Sequence, residues 1–139
     1  LPAVYTVTGF ADGTGSVSPT GVGTFDATTL RAAVLAANAS AEDDTIVLGT
    51  GTYNLQRFSQ PPEDGAVYGD LDIADARAYG NLAIIGNGST DSILNFDRSY
   101  GNDRLFEVLS YGDLRLTDLR LQGGRTEADD PDGGAVQIG

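Results

Sequence analysis

The 139-residue chain contains no cysteine, no histidine, no methionine and no tryptophan. The missing cysteine excludes a disulfide framework, a thiolate nucleophile and thiolate metal sites. The missing histidine excludes most zinc sites, the Ser-His-Asp triad and the commonest general base. Lysine is absent too, so all 8 basic residues are arginine, against 20 acidic residues and a net charge of -12. Phosphate binding needs a basic footprint that this chain lacks, so nucleic acid and anionic membrane surfaces are not expected partners. Cations and neutral or basic surfaces suit the charge; the plainer reading is that the charge keeps an exported or salt-adapted protein soluble. No apolar run reaches the roughly 18 residues of a transmembrane helix. No signal peptide is visible, and Leu1-Pro2-Ala3 reads as a processed or trimmed start.

Hydrophobic residues make up 40% of the chain, enough for a core, and the length suits one domain. Val4-Tyr5-Thr6-Val7-Thr8 is β-branched and aromatic and predicts a first strand. Residues 9–23 are rich in Gly and Ser and read as a loop or loose wrap. Thr28 to Asn38 is the one convincing helix, because Leu30, Ala33, Val34 and Ala37 form one apolar face, with Asp26 or Thr28 as its cap. After residue 41 short apolar strands recur between Gly, Asn and Asp: 45–48, 52–55, 70–73, 82–85, 92–96, 104–109, 114–116, 119–121 and 135–138. Several alternate, with Leu71 and Ile73 on one side and Asp70 and Asp72 on the other. Phe96 and Phe106 fit inward positions.

No helical pattern separates these strands, which excludes a βαβ protein. Leu82-Ala83-Ile84-Ile85, followed by 92–96 and 104–109, resembles the run that restarts at Leu114-Arg115-Leu116, an offset of 32 residues. Recurrence at a fixed period is the mark of a solenoid. A sandwich or jelly roll would also give short strands with turns, but the strand triplets recur in order. The expected fold is therefore mainly β: a right-handed parallel β-helix of about three coils. Its N-terminal cap, a strand and an α-helix, spans 1–44, the coils span 45–139, and together they form one domain. A helix over one end hides backbone groups that would otherwise invite pairing.

Particular residues carry a family resemblance. Thr28-Thr29-Leu30-Arg31-Ala32-Ala33-Val34 with Ala36-Ala37-Asn38 resembles the CSLREA motif of bacterial exported β-helix proteins. The segments that follow it in that family are matched in order. They are Thr45-Ile46-Val47-Leu48, Gly51-Thr52-Tyr53-Asn54-Leu55, Gly69-Asp70-Leu71-Asp72-Ile73, the turn from Ile84 to Gly88, the strand from Asp103 to Val108, and the run from Leu114 to Gly124. Gly133-Gly134-Ala135-Val136 resembles the GGA[IV] motif of polymorphic outer-membrane and surface repeats, related in architecture to pectate-lyase-like helices. Each motif alone is weak; their order is what is specific, and it covers about residues 4 to 139. Thr28 stands where the family has Cys and Ala32 where it has Glu, which removes any thiol or carboxylate role. The resemblance implies a β-helix, export, and an extracellular or cell-surface location. It implies no single activity.

Each candidate site has a plainer reading beside it. Asp70, Asp72 and Asp75 could offer oxygens to Ca2+, or form a solvated strand face. Asp129, Asp130 and Asp132 around Pro131 could do the same, or make an acidic turn. Glu42, Asp43 and Asp44 read as a solvated connection. Tyr68, Tyr79, Tyr100 and Tyr111 lie among Gly and Asp, where tyrosines stack on sugars, fill a protein interface or simply pack a loop. Arg104, Arg115 and Arg120 could clamp an anion, or pair with Asp113 and Asp118. Asp97 and Asp103 could be the paired carboxylates of a glycosidase. Asn38-Ala39-Ser40 and Asn87-Gly88-Ser89 match glycosylation acceptors.

Three functions stay open. The first is a non-catalytic structural or adhesive surface module, a subunit or fragment of a larger assembly, which meets other protein (itself or other subunits) through an open C-terminal coil at Gly139. The second is part of a polysaccharide lyase or hydrolase acting on carbohydrate, although fold is not function. The third is a calcium-dependent binding domain. No catalytic residue and no cofactor other than Ca2+ is indicated.

Overall fold

The alternation of apolar residues comes out as parallel sheets. The computed structural model describes residues 2–40, 42–55, 71–73, 81–88, 90–96, 105–108, 113–123 and 136–138. The elements run β1 (Val4–Val7), β2 (Val17–Gly21), β3 (Thr24–Ala27), α1 (Leu30–Asn38), β4 (Asp44–Val47), β5 (Gly51–Leu55), β6 (Leu71–Ile73), β7 (Leu82–Ile85), β8 (Ser92–Phe96), β9 (Phe106–Val108), β10 (Leu114–Thr117), β11 (Arg120–Gln122) and β12 (Val136–Ile138). The described residues are thus mainly β with one helix.

One sheet has the order β2-β3-β1-β4-β7-β10, a second β5-β8-β11 and a third β6-β9-β12. Every pairing is parallel except β2 with β3. From β4 onward the chain visits the three sheets in a fixed order and does so three times. Leu114 pairs with Leu82, the offset read from the sequence.

Register builds the core. Ile46, Ile84 and Leu116 align across the first sheet, and Tyr53, Leu94 and Leu121 across the second. Leu71 aligns with Phe106 and Ile73 with Val108 across the third. Inward residues of the first two rounds are buried, Phe96 and Phe106 among them. The bend between the first and second sheets is held by side chains. The buried Ser92 Oγ donates to the Gly49 carbonyl at 2.7 Å and accepts from the Asn87 N–H at 2.7 Å, joining the first two rounds. Gly86, in the Ile84–Gly88 turn, lies against the backbone of Asp118 one round on, where a Cβ would collide. That motif is therefore steric in its demands.

The N-terminal segments cover the first round sheet by sheet. β1 pairs with β4. Against β5, the Asn54 N–H donates to the Phe10 carbonyl at 3.2 Å, and the Phe10 ring meets Tyr53 at a centroid distance of 4.9 Å. Gly51, at φ +147, leaves room for that ring. Against β6 lies α1, whose Asn38 Nδ2 donates to the Asp72 carbonyl at 2.7 Å. The expected apolar face of α1 (Leu30, Ala33, Val34 and Ala37) is buried. So is Arg31, whose Nε and Nη2 grip Asp12 at 2.8 and 3.1 Å, with neither side chain more than 2% exposed.

Four expectations need correction. The stretch 9–23 contains β2, and β3 follows it; Pro19 concealed β2, yet β2 is an edge strand, where proline is tolerated. The helix cap is Thr29, whose Oγ1 accepts from the Ala32 N–H at 3.0 Å. Asp26 lies in β3, and Thr28 accepts from the Ser16 N–H instead. Asp72 is not on a solvated face: it is fully buried, in the strand that α1 packs against. Asp44 is no part of a solvated connection; it is 2% exposed and accepts from the Ala3 N–H at 2.9 Å, tying the cap to the first round. Single-strand periodicity does not report what a distant helix or terminus will cover.

Candidate functional site

Two places on the stack present chemistry. The first is a groove of about 250 Å³ at the start of the first sheet's strands, lined in part by Asp43, Asp44, Asn81, Asp113 and Arg115. Asp44 pairs with Leu82, and Leu82 with Leu114, so Asp43, Asn81 and Asp113 precede equivalent positions in successive rounds. Their backbones are stitched together: Asp44 N–H donates to the Asn81 carbonyl at 3.0 Å and Leu82 N–H to the Asp113 carbonyl at 3.0 Å. Asp43 Oδ1 accepts from the Asn81 N–H at 2.8 Å. Two of the groove's carboxylates are thus engaged in holding strand starts. Among the described residues no group of three or more carboxylates could hold a metal ion. The groove offers a mixed-sign polar surface for a small ligand.

The second place is the third round. Leu82, Ile84 and Leu94 are fully buried, whereas Leu114, Leu116 and Leu121, at the same registers, are half-buried. Among the described residues β10, β11 and β12 are edge strands, so their outer N–H and C=O groups face no strand. A ladder of amides climbs the second sheet to this end. Asn95 Nδ2 donates to Asn54 Oδ1 at 3.1 Å, and Gln122 Nε2 donates to Asn95 Oδ1 at 3.2 Å. Arg115 and Arg120 stand exposed on two of these edge strands, β10 and β11. No family model, curated protein or solved structure matches this chain. The geometry of the two places therefore carries the functional argument by itself.

Of the sequence-derived candidates, the structure places few. Asp72 sits in β6, buried as described. Asp70, Asp75, Asp129, Asp130, Asp132, Tyr68, Tyr79, Tyr100 and Tyr111 lie outside the described residues, as do Arg104, Asp97 and Asp103. Arg115 reaches the groove that Asp113 also lines. Asn38 is occupied by its bond to Asp72, and Asn87 Nδ2 donates to Thr50 Oγ1 at 3.0 Å, so both acceptor asparagines serve the fold. Sequence reasoning missed the amide ladder. Its signal was there: Asn54, Asn95 and Gln122 each follow an inward apolar residue within a strand. Tyr53 also carries a shifted group. Burial raises its phenol above the ordinary value, while the Gly49 N–H, donating to its oxygen at 2.9 Å, works the other way.

Proposed function

We propose that this chain is the capped end of a right-handed parallel β-helix, of the CSLREA-type exported family it resembles, acting as a structural or adhesive module at the cell surface or outside the cell. In this reading it meets other protein, copies of itself first, through its third round. One observation carries the reading: the first round is covered against all three sheets, while among the described residues the third has the same apolar registers half-exposed beside edge strands. Edge strands and half-covered apolar side chains of this kind are what pairing with further protein would cover. The fixed order of three sheets over three rounds supports a β-helix, and crossovers between parallel strands of one sheet are almost always right-handed.

Light scattering on a sizing column, over a range of concentrations and with calcium followed by chelator, tests the reading. The expected result is a mass above that of the 14.4 kDa chain, rising with concentration. Leu116→Glu should abolish the rise. A monomer at every concentration would overturn the assembly role, and a mass that depends on calcium would favour the calcium-dependent domain instead.

A further inference from the structure

We propose that Asn87 is a site of self-modification that the stacked rounds hold off: the Gly88 nitrogen cyclises onto its side chain when the third round lifts, and the isoaspartyl product keeps that round from seating again. The Gly88 amide nitrogen gives up its proton and bonds to Asn87 Cγ. The bond from Cγ to Nδ2 breaks, and ammonia leaves. Water then opens the cyclic imide at either carbonyl, leaving aspartate or isoaspartate at position 87. The step needs water and no oxidant, metal or enzyme.

The sequence supplies the reactive pair. Of the six asparagines, only Asn87 precedes glycine. Glycine has no Cβ, so its nitrogen approaches the preceding side-chain carbonyl freely, and this dipeptide cyclises readily in unfolded chains. In the fold both reacting groups are engaged. The Gly88 N–H donates to the Asp118 carbonyl at 2.8 Å, in the third round. Asn87 Nδ2 donates to Thr50 Oγ1 at 3.0 Å, in the first. The second round holds the rest: the Asn87 N–H donates to Ser92 Oγ at 2.7 Å, and the Gly88 carbonyl accepts from the Asp91 and Ser92 N–H groups at 3.0 and 2.8 Å. Asn87 is half-buried, so water reaches it. The nucleophile is therefore released only when the third round moves.

The product acts back on the stack. At this bend the third round is held by two bonds: the Gly86 N–H donates to the Thr117 carbonyl at 2.8 Å and the Gly88 N–H to the Asp118 carbonyl at 2.8 Å. Gly86 lies so close to the Asp118 backbone that a Cβ would collide, so there is no slack at that point. Isoaspartate routes the main chain through its side chain and adds one methylene between those two N–H groups. With Gly86 fixed by contact, Gly88 is displaced from Asp118 and its bond is lost. A brief local opening is thereby recorded as a permanent change in the chain.

The test ages the chain in mildly alkaline buffer, folded and in urea, and follows residue 87 by peptide mass mapping, with isoaspartate detected by enzymatic methylation. The folded chain should convert about tenfold or more slowly than the unfolded one, because only the open fraction reacts. Leu116→Ala, which thins the packing of the third round, should speed conversion several-fold while circular dichroism shows the fold retained. In the parent chain, urea below the unfolding transition should raise hydrogen exchange at the Gly88 amide and conversion in step, a readout that needs no variant. The isoaspartyl chain, isolated and refolded, should exchange its Gly88 amide quickly while amides of β4 and β5 stay protected. Equal conversion folded and in urea overturns the protection. Conversion that waits for global unfolding and ignores Leu116→Ala overturns control by the third round. An isoaspartyl chain whose Gly88 amide is as protected as the parent's overturns the effect on seating.

Discussion

The first and third rounds are built from the same registers and differ in what lies against them. Ile46 and Ile84 are wholly buried, and Leu116, aligned with both, is half-buried. At the first round each sheet edge meets a different covering element: a strand, a loop carbonyl with its aromatic ring, and a helix. The difference shows that a stacked parallel sheet does not end by running out of apolar residues. It ends where other groups take up its backbone donors and acceptors and cover its last row of side chains. Stability should accordingly be concentrated at the covered end, with association at the other.

The largest expected effect breaks the cap. Arg31 and Asp12 are removed from water and joined by two charge-assisted bonds. Arg31→Ala leaves the buried Asp12 carboxylate without its guanidinium, though still accepting from the Gly13 N–H, and should cost about 3–5 kcal/mol in urea unfolding. The matched change at the other end, Arg120→Ala, should stay within about 0.5 kcal/mol, because that side chain is exposed. Similar losses at both positions would mean that the two ends are not energetically distinct.

The next comparison uses one register. Ile84→Ala opens a cavity between covered rounds and should cost about 3–4 kcal/mol. Leu116→Ala, measured where the chain is monomeric, should cost roughly half as much, since its methyl groups already touch water. At concentrations that favour association, the gap should narrow as a second copy covers Leu116. A gap that never narrows would count against a second copy on that face.

Thr29→Ala removes the helix cap, leaving the Ala32 N–H without its acceptor, and should cost about 1 kcal/mol. Asn38→Ala should cost about as much, by releasing the Asp72 carbonyl. The two together test whether α1 seals the first round as a unit. The double variant should lose about the sum of the two; a loss larger than that sum, with faster hydrogen exchange at β6, would show that the helix comes away as a unit.

The periodic part of the fold was legible in the sequence, because inward and outward residues alternate within each strand and Leu82 announces Leu114. Helix α1 was legible from the face made by Leu30, Ala33, Val34 and Ala37. What escaped were partnerships across distance. Arg31 finds Asp12 across a hairpin whose second strand follows Pro19, and Asp44 finds the Ala3 N–H across the whole cap. Neither pairing leaves a local pattern. The amide ladder likewise depends on Gln122 donating to Asn95, a fact of register. Most of the carboxylates and tyrosines singled out as candidates fall outside the described residues, so the site drawn here rests on the strand residues.

The smallest effect lies inside the covered round and depends on pH. Tyr53 aligns with Leu94 and Leu121, and alone of the three carries a titratable group. Burial raises its phenol above the ordinary value, against the lowering effect of the Gly49 N–H. In the unfolded chain that phenol ionises near pH 10. The folded chain holds the proton to higher pH, so the tyrosine's contribution is fully present below about pH 10 and is lost as pH rises through the folded value. Tyr53→Phe should cost about 1 kcal/mol at neutral pH, by leaving the Gly49 N–H without its acceptor. It should also flatten the fall in stability above pH 10, because Phe has nothing to ionise. The other five tyrosines are common to both proteins, so the difference between the two curves belongs to residue 53. If the curves stay parallel through the alkaline range, the phenol is reached by water, and the Phe10 ring does not close the first round as tightly as its contact with Tyr53 implies.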